Sequence, residues 1–112
     1  ERLARHGRIL ELEDAIAEAI RPGRTIAEAL ESGLPHPDLR PHAGGHRVGL
    51  EMHEHPEFPA KDDERDCHAI PGTVMCVEIW AGLDGGIEDE FLVTENGLQR
   101  LTTLPRELVN TL

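Results

Sequence analysis

With 112 residues the chain has room for one domain around a single modest core. Its 22 acidic residues against 11 lysines and arginines, a net charge of -11, argue against nucleic-acid partners, which need clustered cations, and against anionic membrane surfaces. No apolar run approaches the roughly 20 residues that span a bilayer, and no signal-like core follows Glu1-Arg2-Leu3-Ala4-Arg5, so a cytoplasmic location is expected.

From Leu10 to Ile20 the apolar residues Leu12, Ala15, Ile16, Ala19 and Ile20 recur at three- and four-residue steps, which predicts one buried stripe of a helix. Arg21-Pro22-Gly23 stops it. Thr25 and Glu28 have the capping-box spacing, because each side chain can satisfy a free amide of a first helical turn. A short second helix is therefore expected over Ile26 to Ser32, closed by Gly33. Leu34 to Gly45, with three prolines and the Gly44-Gly45 pair, reads as a loop feeding a site. His46 to Glu54 follows as a short extended piece, and Pro56 to Asp66 as a polar surface loop.

Thr73 to Ala81 carries the strongest strand signal, rich in β-branched and aromatic residues. A turn around Gly82 to Gly86 leads to a return strand, Ile87 to Thr94. Asn96-Gly97 tolerates the positive φ of a tight turn, so Leu98 to Thr102 makes a third strand. Pro105 sits where a terminal helical turn over Pro105 to Leu108 would begin. Helices first and an antiparallel meander after them give an α+β fold class, in one domain spanning 1–112. Cys67 and Cys76 are too far apart for a short-spaced zinc pair and too few for a disulfide framework. They read as reduced thiols, Cys76 packed. The first residue is Glu and not Met, a slight hint of either a piece of a longer polypeptide or a trimmed chain.

Glu78 lies in Val74-Met75-Cys76-Val77-Glu78-Ile79-Trp80, among mostly apolar neighbours, and is expected to be buried. A buried carboxylate needs a cation or hydrogen-bond donors beside it. If the hairpin folds symmetrically about Leu83, residues whose numbers sum to 166 face each other and Glu78 stands opposite Glu88. Two opposed carboxylates repel unless a metal ion, a shared proton or a basic side chain lies between them. A turn centred on Asp84-Gly85-Gly86 would instead leave Glu88 in solvent beside Glu90, and spacing alone leaves both registers open. Oxygen ligands with one imidazole suit Mn, Fe, Co or Zn. His46, at the end of the glycine-rich loop, is the candidate imidazole.

Three segments, in order, read His46-Arg47-Val48-Gly49-Leu50-Glu51-Met52-His53-Glu54, Pro71-Gly72-Thr73-Val74-Met75-Cys76-Val77-Glu78, and Ile87-Glu88-Asp89-Glu90-Phe91-Leu92-Val93-Thr94-Glu95-Asn96-Gly97. Together they resemble the signature of the pita-bread metallohydrolases, the prolidase, aminopeptidase P and methionine aminopeptidase group: His-Gly-Ile-Gly-Leu-x-x-His-Glu, Pro-Gly-Met-Val-x-x-Val-Glu-Pro-Gly, and Arg-Ile-Glu-Asp-x-x-Leu-Val-Thr-Glu-x-Gly. Pro22-Gly23-Arg24-Thr25 and the tail from Leu101 to Leu108 are similar to further family elements. The resemblance implies a metal-dependent hydrolase that cleaves peptide bonds next to proline. It implies His46, Glu78 and Glu88 as ligands of one or two divalent ions (Mn, Co, Fe or Zn). It gives His53 a substrate-binding role that steadies developing negative charge, and Glu78 the handling of the attacking water's proton.

This sequence departs from the pattern in several places. The family's two aspartate ligands belong to strands before the first helix, and Asp14, Asp38, Asp62, Asp63, Asp66, Asp84 and Asp89 all lie in other contexts. Gly86 replaces the arginine before Ile87-Glu88, Ile79-Trp80 replaces Pro-Gly after Glu78, and His55-Pro56 alters the region that shapes substrate choice. The resemblance therefore implies the C-terminal half of a pita-bread domain, with a missing N-terminal half or a homodimer partner completing it. The substrate expected is a peptide or small amide. The alternatives are a fold-sharing enzyme that cleaves C-N or C-S bonds, such as a creatinase, and a non-catalytic binding remnant.

Overall fold

In the computed structural model, which describes residues 1–59, 65–82 and 85–108, one long helix packs on a five-stranded antiparallel sheet. Helix α1 (Arg2–Ala19) carries Ile9, Leu12 and Ile16 on one buried face, and Ile20 closes the stripe. It begins eight residues before the expected start: Ile9 continues the same three- and four-residue spacing one turn earlier, and the residues before it, Leu3 included, are largely exposed. Helix α2 (Ile26–Leu30) starts with the capping box read from sequence. Thr25 accepts from the Glu28 amide at 3.0 Å, and Glu28 accepts from the Thr25 amide at 2.9 Å.

A 3-10 turn at Arg40–His42 leads into β1 (Ala43–Val48), followed by β2 (Glu54–Phe58), β3 (Val74–Trp80), β4 (Gly86–Thr94) and β5 (Gly97–Arg100). The sheet order is β2-β1-β3-β4-β5, so β3 is central. Two expected loops are shorter than read. Gly44 and Gly45 belong to β1, where the strands come too close for side chains: a Cβ on Gly45 would lie 2.1 Å from the Phe58 ring and 2.2 Å from the Cys76 carbonyl oxygen. Pro56 to Phe58 likewise belong to β2, an edge strand, where a missing amide is tolerated. Residues 60–64 of that expected loop, and Leu83 and Asp84 of the hairpin turn, lie outside the described residues. The expected terminal helical turn does not form over the described residues 101–108, because side-chain contacts to α1 and β4 hold that segment extended across them.

Alternation along the strands divides the sheet into two unlike faces. Met75, Val77, Ile79, Phe91 and Val93 point toward α1 and form the core with Ile9, Leu12 and Ile16. Burying a side chain of this size contributes about 1.5–3 kcal/mol, and the helix supplies that cover. The other face carries Gly44, His46, Cys76, Glu78 and Glu88, and no described helix lies over it. Glu78 is consequently half-buried rather than buried: its apolar neighbours Val77 and Ile79 belong to the opposite face.

One charged cluster sits on the helix side. Glu13 of α1 is fully buried and Asp89 of β4 nearly so, and the Arg106 guanidinium reaches both, with Asp14 at 2.8 Å. Arg106 Nε stands 3.1 Å from Asp89 Oδ2, close enough for charge pairing although the angle is poor for a hydrogen bond. Burial above all, and then the Asp89 carboxylate, push Glu13 up to about 7, against the lowering contact with Arg106. The cluster ties the tail to α1 and β4.

Candidate metal centre

Strand β3 places the chemistry. On one side it pairs with β1 so that His46 faces Cys76 and Gly44 faces Glu78. On the other it pairs with β4 in the register whose residue numbers sum to 166, putting Glu78 opposite Glu88. Directly paired residues project to the same side, as do residues two apart on one strand. His46, Cys76, Glu78 and Glu88 thus share the face away from α1.

His46 is 7% exposed. Its Nδ1 lies 3.0 Å from the Arg47 carbonyl oxygen, which can only accept, so Nδ1 donates there and Nε2 is left to face the sheet, with a lone pair when the ring is neutral. That lone pair faces Glu88 Oε1 at 3.7 Å. A neutral imidazole and a carboxylate at this distance are reconciled by a metal ion or a proton between them. This is the arrangement of a ligating imidazole whose far nitrogen is fixed by a carbonyl.

Glu78 leans over Gly44, where a Cβ would come within 3.6 Å of its Oε1. The tighter neighbour of a side chain at 44 would be the Phe58 carbonyl oxygen, at 3.0 Å. Beside Glu78 and Glu88 lies an open depression lined also by Pro41, Phe58 and Trp80. His53, in the bend between β1 and β2, is exposed, and its ring meets that of His46 edge-on with centroids 4.5 Å apart. Glu54 shapes this bend by accepting from the amides of Leu50 at 2.7 Å and Glu51 at 3.2 Å. Those contacts, Glu51's first, hold its carboxyl below the ordinary range. Gly49 permits the wrap, since a Cβ there would meet the Glu54 carboxylate at 2.2 Å.

Of the four residues singled out from the sequence, His46 and Glu88 come within reach of one ion, Glu78 lies beside Glu88 on the same face, and His53 touches His46 from the bend at the other end of β1. A fifth went unnoticed. Ligand atoms of His46, Cys76 and Glu88 lie within 4.8 Å of one another, the one such group of three among the described residues. The signal was available: Cys76 is two residues from Glu78 on a strand and must share its face. Burial, reinforced by the Glu88 carboxylate and partly offset by the His46 backbone, pushes the Cys76 thiol up to about 12, so it is neutral in the metal-free chain. An imidazole lone pair, two carboxylates and a thiol are a donor set that fits a divalent transition ion.

A sheet with one face packed under a helix and the other lined by such donors can present a metal ion to solvent. The model of metallopeptidase family M24 matches residues 3–95, and the chain belongs to that family. It is 37% identical over 111 residues to an Xaa-Pro dipeptidase of Pyrococcus furiosus, a match covering 90% of this chain and 31% of that protein. Among solved structures it resembles the dipeptidase PepE of Mycobacterium ulcerans, at a TM-score of 0.71 and 25% identity over 95% of this chain and 30% of that one. It also resembles the prolidase of Pyrococcus furiosus, at a TM-score of 0.63 and 32% identity over 89% of this chain and 32% of that one. The fold is that part of the pita-bread architecture. The chain spans about a third of the length of these relatives. Among the described residues no helix is long and apolar enough to cross a membrane.

Proposed function

We propose that residues 1–112 form the C-terminal half of a pita-bread catalytic domain, and that the whole site hydrolyses peptide bonds next to proline with a divalent transition ion. The observation that carries this reading is the pairing of Glu78 with Glu88, with the His46 Nε2 lone pair 3.7 Å from the Glu88 carboxylate. Likeness to Xaa-Pro dipeptidases at 37% identity supports the substrate class.

In this reading His46, Glu78 and Glu88 hold the ion, and a missing N-terminal half or a partner chain supplies the remaining ligands. A divalent ion bound there lowers the pKa of water and polarises a carbonyl. The chain's own residues do the rest. Arg47 fixes the His46 tautomer through its carbonyl. Glu78, half-buried over Gly44, accepts the proton of the attacking water and is placed to pass it to the leaving amine. His53, exposed at the rim and braced edge-on by His46, donates a hydrogen bond to the substrate oxygen as charge builds on it. The depression between Pro41, Phe58 and Trp80 receives the substrate and limits water.

The test is hydrolysis of Xaa-Pro dipeptides by the chain supplied with Mn, Co or Zn, alone and together with the N-terminal half of a related dipeptidase. Proline release that requires metal and falls at least about a hundredfold in His53→Ala supports the assignment. Release of proline that survives His53→Ala unchanged removes the role given to His53. Turnover of creatine-like compounds without any proline release replaces the substrate class.

A further inference from the structure

We propose that Cys76 is itself a metal ligand, so that His46, Cys76 and Glu88 hold a thiolate-containing ion site within this chain. The inference rests on the metal-binding reading above and adds a soft donor to it.

Three features converge. The ligand atoms of the three residues lie within 4.8 Å of one another. Around a four-coordinate ion with bonds of about 2.0–2.3 Å, neighbouring ligand atoms stand roughly 3.3–3.8 Å apart. His46 Nε2 and Glu88 Oε1 already do, at 3.7 Å. Second, His46 is more than nine-tenths buried, and the lone pair of its Nε2 is aimed at this cluster because Nδ1 is committed to the Arg47 carbonyl. Third, Cys76 is fully buried on the sheet face that carries ligands rather than on the face packed against α1. There its sulfur faces the Glu88 carboxylate and the His46 imidazole, the two other ligand atoms of the group.

Binding is an exchange. The Cys76 S–H bond breaks, its proton passes to solvent, and the sulfur lone pair takes the ion, with no change of oxidation state. A divalent ion deprotonates a coordinating thiol outright, which overrides the neutral state favoured in the empty site. Thiolate donors select Zn or Co over Mn and Mg. The site should therefore prefer zinc and cobalt, where an oxygen-rich set would accept manganese as readily. Glu78, two residues along β3, keeps the ligand and proton-handling roles proposed above.

The experiment is titration of the purified chain with Co(II), followed by absorption spectroscopy and equilibrium dialysis on the same samples. Expected is a near-ultraviolet sulfur-to-cobalt charge-transfer band that saturates at one ion per chain, disappears in Cys76→Ser, and is accompanied there by a loss of affinity of about tenfold or more. Cobalt that binds with dependence on His46 and Glu88 but gives no such band, or an unchanged band in Cys76→Ser, overturns the ligand role while leaving the metal-binding reading standing. Absence of bound cobalt in wild type overturns both. Circular dichroism of Cys76→Ser confirms that any loss is not unfolding.

Discussion

The Nε2 atom of His46 and a carboxylate oxygen of Glu88 face each other across the sheet at 3.7 Å, with β3 running between their strands. The imidazole is locked from behind by Arg47. Nothing in the apolar core requires this encounter, because it takes place on the face turned away from α1. Its energetics make sense when a cation occupies the gap, and the stability of the chain should then depend on metal.

Zinc or cobalt at about a hundredfold over its Kd should stabilise the chain by about 2.7 kcal/mol. Thermal unfolding followed by circular dichroism checks this. His46→Ala should remove the metal-induced rise in Tm while leaving the metal-free Tm little changed. An equal rise in wild type and His46→Ala would mean that the ion binds elsewhere on a chain of net charge -11.

Glu13 predicts a pH dependence of the opposite sign to the usual one for carboxylates. Its folded value, about 7, lies above the ordinary value of 4.5, so the folded chain holds a proton that the unfolded chain has lost. Its contribution to stability is fully present below about pH 4.5 and is lost as pH rises through about 7. The loss should be on the order of 1–3 kcal/mol. Denaturant melts between pH 4.5 and 7.5 should show that fall in wild type and a flatter profile in Glu13→Gln.

Arg106 links the tail to buried Glu13 and Asp89. Arg106→Met leaves buried Glu13 without its cation, while Asp89 keeps Arg100 at 3.3 Å, and should cost about 3 kcal/mol at pH 8. The penalty should shrink near pH 5, where Glu13 takes up a proton. A loss independent of pH would mean that the arginine acts through packing alone.

Gly45→Ala would drive a methyl into the Phe58 ring and the Cys76 carbonyl. The ring could move, but the carbonyl belongs to the central strand, so destabilisation of about 1–3 kcal/mol is expected in urea unfolding. Thr25→Ala, which removes the cap of α2, should cost about 1 kcal/mol by the same measurement.

The features legible in the sequence were those set by local rules. The capping box at Thr25 and Glu28 needs only a spacing of three, and the β3–β4 register was one of the two that residue numbers allow, the symmetric turn being the one that puts Glu78 opposite Glu88. Which sheet face α1 would cover depends on packing between distant segments, and spacing could not supply it; Glu78 was accordingly expected to be deeper than it is. Gly44 and Gly45 look like loop residues by composition, yet they lie in β1, where Phe58 and Cys76 occupy the space of their missing side chains. The Glu13, Asp89 and Arg106 cluster joins residues 93 positions apart in the chain at its widest, and no local pattern announces it. Cys76 was overlooked for a different reason: a buried cysteine on a β-rich strand reads as ordinary packing until its neighbours are known.

The most direct test of the central claim, that the open sheet face holds a divalent ion, is paramagnetic broadening by substoichiometric Mn(II) in the amide NMR spectrum of the chain. The account predicts signal loss centred on the amides around His46, Cys76, Glu78 and Glu88, abolished in Glu88→Gln and competed away by zinc. Broadening centred on exposed carboxylates remote from this face, such as Glu1 or Glu95, and unchanged in Glu88→Gln, would contradict it.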